Sequence, residues 1–428
     1  MTADTYGVTR QATTAPQAPR AGMLLGTQLL FNAGFFAVVP FLAGILRHDF
    51  ALAGASVGLV LGLRTAAQQG LFLVGGTLAD RFGARVLILL GCAVRVSGFS
   101  LLAWSTSDVL SLAREPRLAL FVAGTVLTGM GGALFSPALE ALVARVDATR
   151  RRDGQKVTLF ALLAVFGETG AAIGPLVGAA LLGWGFTAVA GYGAGLFVLL
   201  ALVLSRLLPR ERPDRSARGR VFASFARVLA DRRYVALAVL ASVNLLAYNQ
   251  LYLGYPVELA RVGAGDGVLA LVFATVSILT ITLQLPIARL ARRWGEAPAL
   301  RLGYLLLTAA FAVLAVAAPL SPADGGAALV PVFASTALLT LGHLILTPLV
   351  LSLVPRFGPR ECWGAYYGLL ATCGGLAVLV GNTLLGSLYS LAGVPAASAA
   401  WVWTVLAALP LISGWLVPRL LPAPAEPR

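Results

Sequence analysis

The chain carries little charge for its length. Only 12% of its 428 residues are Asp, Glu, Lys or Arg, whereas 58% are hydrophobic. Soluble domains carry about 25% charged residues, so this composition excludes an ordinary soluble domain. Cysteine and histidine are also scarce: three cysteines are too few and too scattered for a disulfide framework, and two histidines cannot form a metal cluster alone. We therefore expect neither a metal site nor a cofactor.

Long apolar runs recur along the chain from residue 22 onward. Each is close to the roughly 20 residues that a helix needs to cross the hydrocarbon core. The alternating strands of about ten residues that build a membrane barrel are not visible. The pattern predicts an all-α membrane protein of twelve transmembrane helices. The predicted spans, numbered 1 to 12, are 22–46, 54–78, 86–107, 118–144, 157–182, 185–207, 234–258, 267–290, 299–319, 327–354, 364–389 and 395–418.

The basic residues indicate how these spans are oriented. If the N-terminus is inside, two of the 32 Lys and Arg residues lie within helices, four fall outside, and the rest are cytoplasmic. Because cytoplasmic loops are enriched in Lys and Arg, both termini are predicted to lie in the cytoplasm of a bacterium, with the chain in its cytoplasmic membrane. In a soluble protein the same surplus would suggest nucleic acid as a partner, which we do not expect here. The four outer residues are Arg47, Arg114, Arg117 and Arg261.

A hydrophilic, basic stretch divides the chain at its midpoint. Residues 22–207 carry six spans, 208–233 form a cytoplasmic linker, and 234–419 carry six more. Residues 1–21 are predicted to be a disordered cytoplasmic tail, and 420–428 a short cytoplasmic one.

The two halves repeat each other in sequence. Leu78–Gly83, after span 2, matches Leu290–Gly295, after span 8, at an offset of 212 residues. Gly131–Arg145 matches Gly342–Arg356 at an offset of 211, with a proline at the same place in each. Internal duplication is characteristic of secondary transporters, whose site lies between the repeats near mid-membrane. The halves are therefore predicted to form two pseudo-symmetric six-helix bundles.

The loop between spans 2 and 3 reads Gly76-Thr-Leu-Ala-Asp80-Arg81-Phe-Gly83-Ala-Arg85. Its glycines permit close helix packing and a tight turn. Asp80 can interact with a helix N-terminus, and the arginines can pair with carboxylates at the cytoplasmic rim. Glu140 in span 4 is the predicted partner of Arg81 or Arg85, with a snorkelling interfacial glutamate as the alternative. An ordinary positive-inside turn would explain neither the glycines nor Asp80.

Span 5 contains a stripe of small residues. Gly170, Gly174 and Gly178 are spaced four apart, and Pro175 lies beside them. This spacing predicts a close helix contact with a bend next to it. Generic small-residue packing is the alternative to a functional motif.

Ionisable residues inside transmembrane helices are rare and often functional. Glu168 lies near the middle of span 5, Arg64 and Gln68 share a face of span 2, and Arg95 is in the middle of span 3. These charges lie at similar depth and could form a network. Glu168 is the predicted protonatable carboxylate coupled to transport. The alternative is a permanent ion pair that holds the N-terminal half together, and Arg95 favours such a structural role.

Span 7 presents polar and aromatic residues on one face. Asn244, Tyr248, Tyr252 and Tyr255 recur at i, i+4, i+8 and i+11, ahead of Pro256. Such a face suits the wall of a binding cavity for apolar ligands, although tyrosine is also enriched at membrane interfaces. A lone histidine is more often structural, so no proton-carrying role is assigned to one here. The predicted cavity is completed by Asn32, Gln68, His343 and Asn382.

These motifs resemble the major facilitator superfamily over nearly the whole chain. The Gly76–Arg85 loop resembles its signature loop, which in that family latches the halves when the protein is open outward. The Gly-Pro segment of span 5 is similar to that of drug:proton antiporters, except that Ala179 stands where a second glycine is usual. Phe31–Leu42, Leu63–Gly70 and Gly131–Pro137 look like MdtH-type bacterial multidrug exporters.

The resemblance implies the twelve-helix superfamily fold and export of small amphipathic compounds, driven by protons moving inward. Alternating access of the halves would carry the substrate across the lipid bilayer. Span 4 lacks the arginine and the Gln-Gly pair common in other drug exporters. The alternative function is a proton-coupled importer of a small polar metabolite. We expect a monomer and no enzyme, because no nucleophile–base pair is recognisable in the sequence.

Overall fold

The computed structural model describes residues 20–72, 74–75, 78, 82–107, 113–152, 159–209, 227–320, 325–357, 363–389 and 397–421. All regular structure in these ranges is helical. The membrane helices, numbered in chain order, are α1 (Ala21–His48), α2 (Gly54–Gly70), α3 (Ala84–Ser105), α4 (Arg114–Arg152), α5 (Leu159–Leu182), α6 (Phe186–Leu207), α7 (Arg232–Arg261), α8 (Asp266–Trp294), α9 (Glu296–Ala317), α10 (Val330–Leu353), α11 (Trp363–Leu388) and α12 (Ala400–Leu416).

The predicted all-α membrane architecture is confirmed. Eleven of these helices are long and apolar enough to cross a bilayer. α2 has 17 described residues and ends at Gly70, and part of the remainder of its predicted span lies outside the described residues. Helices are the expected solution because every backbone polar group in hydrocarbon must be satisfied within the segment.

Several helices contain an internal proline, which lacks the backbone N–H of a helical hydrogen bond. α1 passes through a 3₁₀ turn at Val39–Phe41, which contains Pro40, before it continues as Leu42–His48. α4 and α10 contain Pro137 and Pro348, the prolines of the sequence repeat. α5, α7, α8 and α12 also contain an internal proline. Proline at such positions favours a bend in the helix.

The two halves pack in the same pattern. In the first half α1 packs on α5, α2 on α4, and α3 on both α4 and α6; α7 packs on α11, α8 on α10, and α9 on both α10 and α12. Each contact therefore has a counterpart six helices later. The turns before α3 and α9 match in detail, because Gly83 and Gly295 adopt φ of 87° and 85°. The sequence repeat thus corresponds to a repeat in three dimensions.

The halves meet along two symmetric contacts, α2 with α11 and α5 with α8. We call the end of the bundle where α1 begins and α12 ends the terminal face, and the opposite end the far face. Towards the far face, Gly54 lies directly against the backbone of Gly386 and Gly58 against that of Asn382. The far ends of α1 and α7 are also in contact. The predicted linker, 208–233, lies partly outside the described residues, and α7 already begins within it at Arg232.

Candidate functional site

Arg95 is buried in the middle of the N-terminal half. Its side chain is completely buried, and its guanidinium carbon lies 4.1 Å from the ring centroid of Phe31, 4.3 Å from that of Phe35 and 5.2 Å from that of Phe197. These contacts place α3 against α1 and α6. The cation is therefore surrounded by aromatic faces, which attract it electrostatically.

Three glycines of α4 make room for the buried arginines. A Cβ at Gly132 would lie 2.6 Å from Arg95 Nη2, and one at Gly131 would lie 2.5 Å from Arg95 Cγ. A Cβ at Gly129 would meet the backbone of Arg64 and lie 3.4 Å from its Cγ. A side chain at any of these three positions would overlap Arg64 or Arg95. Glycine therefore allows both arginines to pack against α4. Their role is visible only once α2, α3 and α4 are packed together.

Arg64 lies where the halves meet. It is 4% exposed, and its Nη2 donates to Thr65 Oγ1 at 3.1 Å. The Thr65 hydroxyl in turn bonds to Asn249 Oδ1 on α7 at 3.3 Å. The Arg64 guanidinium lies 5.3 Å from the ring centroid of Phe35 and 5.7 Å from that of Tyr252 on α7. Arg64 is thus covered by residues from both halves.

Glu168 does not pair with either arginine. No ion pair within 4 Å joins Glu168 to Arg64 or Arg95, all three of which the structure describes. The predicted charge network, and with it the permanent ion pair considered as an alternative, is therefore absent from this conformation. The carboxylate is half-buried on α5 and lies in electrostatic range of the phenols of Tyr248 and Tyr252 on α7.

Two predicted cavity residues lie close to these charges. Asn32 Nδ2 donates to the carbonyl of Gly167 at 2.9 Å and so joins α1 to α5 next to Glu168. Gln68 lies beside the α4 glycines, because a Cβ at Gly132 would be 3.4 Å from Gln68 Cδ. Both side chains are half-buried. They lie at about the same level of the bundle as Arg64, Arg95 and Glu168. We call this level the mid-membrane layer.

A polar cluster lies at the same level in the C-terminal half. The amide of Asn244 donates to Thr347 Oγ1 at 3.1 Å, and its oxygen lies 3.1 Å from His343 Nδ1. The His343 ring stacks on Tyr248 with a centroid separation of 4.1 Å. Three of the predicted cavity residues therefore come together between α7 and α10.

Asn382 and Tyr255 were predicted to lie on the wall of the binding cavity, but the structure places them elsewhere. Asn382 is fully buried on α11: its backbone carbonyl lies against Gly58 of α2, whereas its side-chain oxygen accepts from Gln250 of α7 at 3.0 Å, and Gln250 accepts from Tyr389 at 2.8 Å. Tyr255 is fully buried and bonds to Ser335 at 2.7 Å inside the C-terminal half. Neither lies with the other predicted cavity residues. The spacing of residues along a helix shows which of them share one side of it, but not which neighbouring helix packs against that side.

The glycine stripe of α5 packs on α1. A Cβ at Gly170, Gly174 or Gly178 would come closest to a backbone carbonyl oxygen of α1 in each case. Pro175 lies inside the helix beside this contact. The predicted close helix contact is therefore present, and it lies within one half.

A second stripe of glycines, which the sequence analysis did not predict, lies on α2. Gly54, Gly58 and Gly62 of α2 have the same spacing of four, and each opposes the backbone of α11 across the boundary between halves. The signal that could have found them is the spacing already used for α5. Thr65 and Asn249, which also cross this boundary, carry no such signal.

The predicted gating loop is described only in part. Gly76, Asp80 and Arg81 lie outside the described residues. Gly83 adopts the left-handed conformation that its predicted tight turn requires.

Of the two arginines predicted as alternative partners of Glu140, Arg85 does not pair with it. Arg85 Nη2 donates to the carbonyl of Ser205 at the end of α6 at 2.5 Å, and Glu140 is exposed and forms no ion pair with it. A helix C-terminus offers unsatisfied carbonyls that attract a guanidinium, and α6 ends closer to Arg85. In the C-terminal half, Arg356 does pair with a carboxylate, Glu296, at 2.5 Å. Whether Glu140 meets Arg81 lies outside the described residues.

A cavity of about 580 Å³ opens between the halves at the far face. Phe41 and Arg47 of α1, Leu182 of α5, Pro256 of α7 and Leu269 of α8 contribute to its walls. None of the predicted cavity residues lines it, since those lie deeper, at mid-membrane.

The fold and the mid-membrane layer together describe a duplicated helical bundle with its polar residues at the interface of the halves. A family model described as Major Facilitator Superfamily matches residues 24–381. The chain belongs to the Major Facilitator Superfamily. It is accordingly a multi-pass membrane transporter and not an enzyme, as the sequence predicts.

Two relatives within the superfamily are similar to this chain over most of its length. An uncharacterised MFS-type transporter of Mycobacterium tuberculosis is 33% identical over 374 residues, which cover 86% of each chain. The multidrug resistance protein MdtH of Aeromonas hydrophila is 32% identical over 389 residues, covering 88% of this chain and 89% of the relative. The predicted resemblance to MdtH-type proteins is confirmed.

Two solved transporter structures show the same fold at low identity. The nucleoside transporter NupG superposes with a TM-score of 0.76 at 14% identity, covering 94% of this chain and all of that one. A peptide transporter of the POT family in complex with sulfate superposes with a TM-score of 0.74 at 17% identity and covers 96% of both chains. At this identity the likeness extends to the fold alone.

Proposed function

We propose that this superfamily member exports small amphipathic compounds in exchange for protons by alternating access. Its relatives named multidrug resistance protein support the substrate class. The fold supports the mechanism, because two six-helix bundles that meet at symmetric contacts can rock about a central site. We further propose that the protein works as a monomer in a bacterial cytoplasmic membrane.

The charge distribution of the chain supports an orientation with the terminal face in the cytoplasm. In that orientation the far face is the outer one. The described glycine contacts between α2 and α11 lie towards this face, so these two helices are closed against each other there, beside the cavity between α1, α5, α7 and α8. Transport then requires these helices to separate and the terminal-face ends to approach each other.

The observation that carries the proposal is the unpaired carboxylate of Glu168. It lies in the middle of α5, which packs on α8 of the opposite half, and it has no ion-pair partner among the described residues. A carboxylate without a permanent counter-ion can accept and release a proton as its surroundings change. Because α5 packs on α8 of the other half, rocking of the halves changes those surroundings.

The test is a transport assay in proteoliposomes. Purified protein would be reconstituted with an imposed proton gradient and presented with a panel of fluorescent dyes and drugs. Accumulation against the dye gradient, with the proton gradient running in the opposite direction, is expected. Movement of substrate together with protons would indicate an importer, and flux that ignores the proton gradient would contradict proton coupling.

The signature loop provides a separate prediction. Asp80→Asn is expected to reduce transport about tenfold or more without changing membrane insertion, because it removes the charge through which the loop would latch the halves. Initial rates in proteoliposomes and the amount of protein in the membrane fraction would be measured together. Asp49→Asn, which changes an exposed residue at the far face, is the matched control. Equal rates for the Asp80 variant and wild type would rule out the latch.

A further inference from the structure

The two buried arginines have no counter-ion among the residues that the structure describes. From their geometry we infer that the central site takes organic anions, that is, small amphipathic compounds bearing a carboxylate or a comparable acidic group. This inference rests on the proposed function, because it assigns a charge class to the substrate of the same central site.

Both guanidinium groups retain unused hydrogen-bond donors. Nε of Arg64 and both Nε and Nη1 of Arg95 are buried without a partner. Of the charged residues that the structure describes in the mid-membrane layer, Glu168 is the only acidic one, and it pairs with neither arginine. The layer therefore carries excess positive charge and at least three donors that a ligand could satisfy.

Cation–π contacts only partly compensate for this burial. The rings of Phe31, Phe35, Phe197 and Tyr252 attract the guanidinium groups but accept no conventional hydrogen bond from them. A buried cation without a counter-ion is far more costly than such contacts are favourable. An anion with an aromatic or aliphatic body would match both features of the site. Its acidic group would meet the donors, and its apolar body would meet the rings.

The cover over Arg64 explains how a ligand could reach it. Tyr252 and Asn249 both belong to α7, whereas Arg64 and Thr65 belong to α2. Separation of the halves at this level would remove the ring and the hydrogen bond together. Arg64 would then face the cavity, and Arg95 behind it would add positive potential and hold its position against α4.

Binding of three matched compounds tests the charge class. The probes are 1-naphthoate, its methyl ester and 1-naphthylmethylamine, which share a ring system but are anionic, neutral and cationic at pH 7. The full-length protein would be embedded in nanodiscs, and binding to empty nanodiscs would be subtracted. Wild-type protein is expected to bind the acid about tenfold more tightly than either analogue. Equal or tighter binding of the amine would overturn the inference without any variant.

Substitution of Arg64 locates the site. Arg64→Gln is expected to weaken binding of 1-naphthoate about 30-fold and to leave the methyl ester unchanged, because only the acid uses the guanidinium charge. Arg64→Lys, which keeps the charge but not the planar donors, is expected to fall between the two. Arg419→Gln is the matched control, since Arg419 also stacks on an aromatic ring, Trp415, but at the terminal face.

The outcomes separate this inference from the proposed function. An Arg64→Gln variant that melts like wild type and binds the acid like wild type would overturn the anion site. If that variant does not fold, the affinities of the wild-type protein for the three probes still test the inference. Since binding needs no proton gradient, acid-selective binding without proton-driven transport would leave the anion site intact and refute the coupling. Proton-driven export of cationic dyes, without acid-selective binding, would support the coupling and overturn the anion site.

Discussion

Glu168→Gln is expected to abolish proton-driven accumulation of substrate. Glutamine has nearly the same shape as glutamate and can hydrogen-bond, but it cannot bind and release a proton. The variant should therefore retain the α5 packing and lose only the coupling. Transport down the substrate gradient should persist, while uptake into vesicles no longer responds to an imposed pH difference.

The measurement compares initial rates with and without the pH difference, across a range of symmetrical pH values. Wild type should show a dependence on pH that disappears in the variant, because the proposed titrating group has been removed. Glu115→Gln is the matched control, since Glu115 is exposed in the first turn of α4. A pH dependence that survives in Glu168→Gln would assign the residue a structural role.

Gly58→Val is expected to reduce transport about tenfold or more and to destabilise the protein by roughly 1–3 kcal/mol. A Cβ at Gly58 would overlap the backbone carbonyl of Asn382, so α2 and α11 would have to move apart. Small residues allow membrane helices to approach this closely, and a branched side chain removes that possibility. Since the contact lies between the halves, the closed far face would be lost before the fold of either half.

Melting temperature and transport rate would be measured on the same preparation of the variant. Distances between spin labels at the far ends of α2 and α11 would show whether these helices separate. Gly191→Val is the matched control, because Gly191 is exposed on α6 and a Cβ there meets no atom within 4 Å. If the two valine variants behave alike, the α2–α11 contact does not hold the far face closed.

The repeat and the glycine spacing were the most informative sequence features. The match between Leu78–Gly83 and Leu290–Gly295 predicted a duplicated structure, and the turn glycines of the two copies adopt the same φ within a few degrees. The stripe from Gly170 to Gly178 predicted a close contact, which α1 supplies. Such local patterns are informative because backbone conformation and close approach depend on the residue itself.

Predicted partnerships between distant residues were less successful. Arg85 bonds to a carbonyl of α6 instead of Glu140, and Arg64 and Arg95 are surrounded by aromatic rings instead of Glu168. Similar depth in the membrane was the basis for expecting the charge network. Depth fixes one coordinate only, whereas the direction of a side chain around its helix and the tilt of that helix fix the others.

The sequence alone determined that this protein is a twelve-span, duplicated membrane transporter. Apolar length and the distribution of charge give the spans, because hydrocarbon forces each segment to satisfy its own backbone. The repeat gives the duplication, and the motifs of the loop and of spans 1, 2, 4 and 5 give the resemblance to transporters. Only the tertiary structure decided which mid-membrane residues meet. The pairing of Arg95 with Phe31, of His343 with Tyr248 and of Gly58 with Asn382 depends on how whole helices cross, which is set by packing summed over many side chains far apart in the chain.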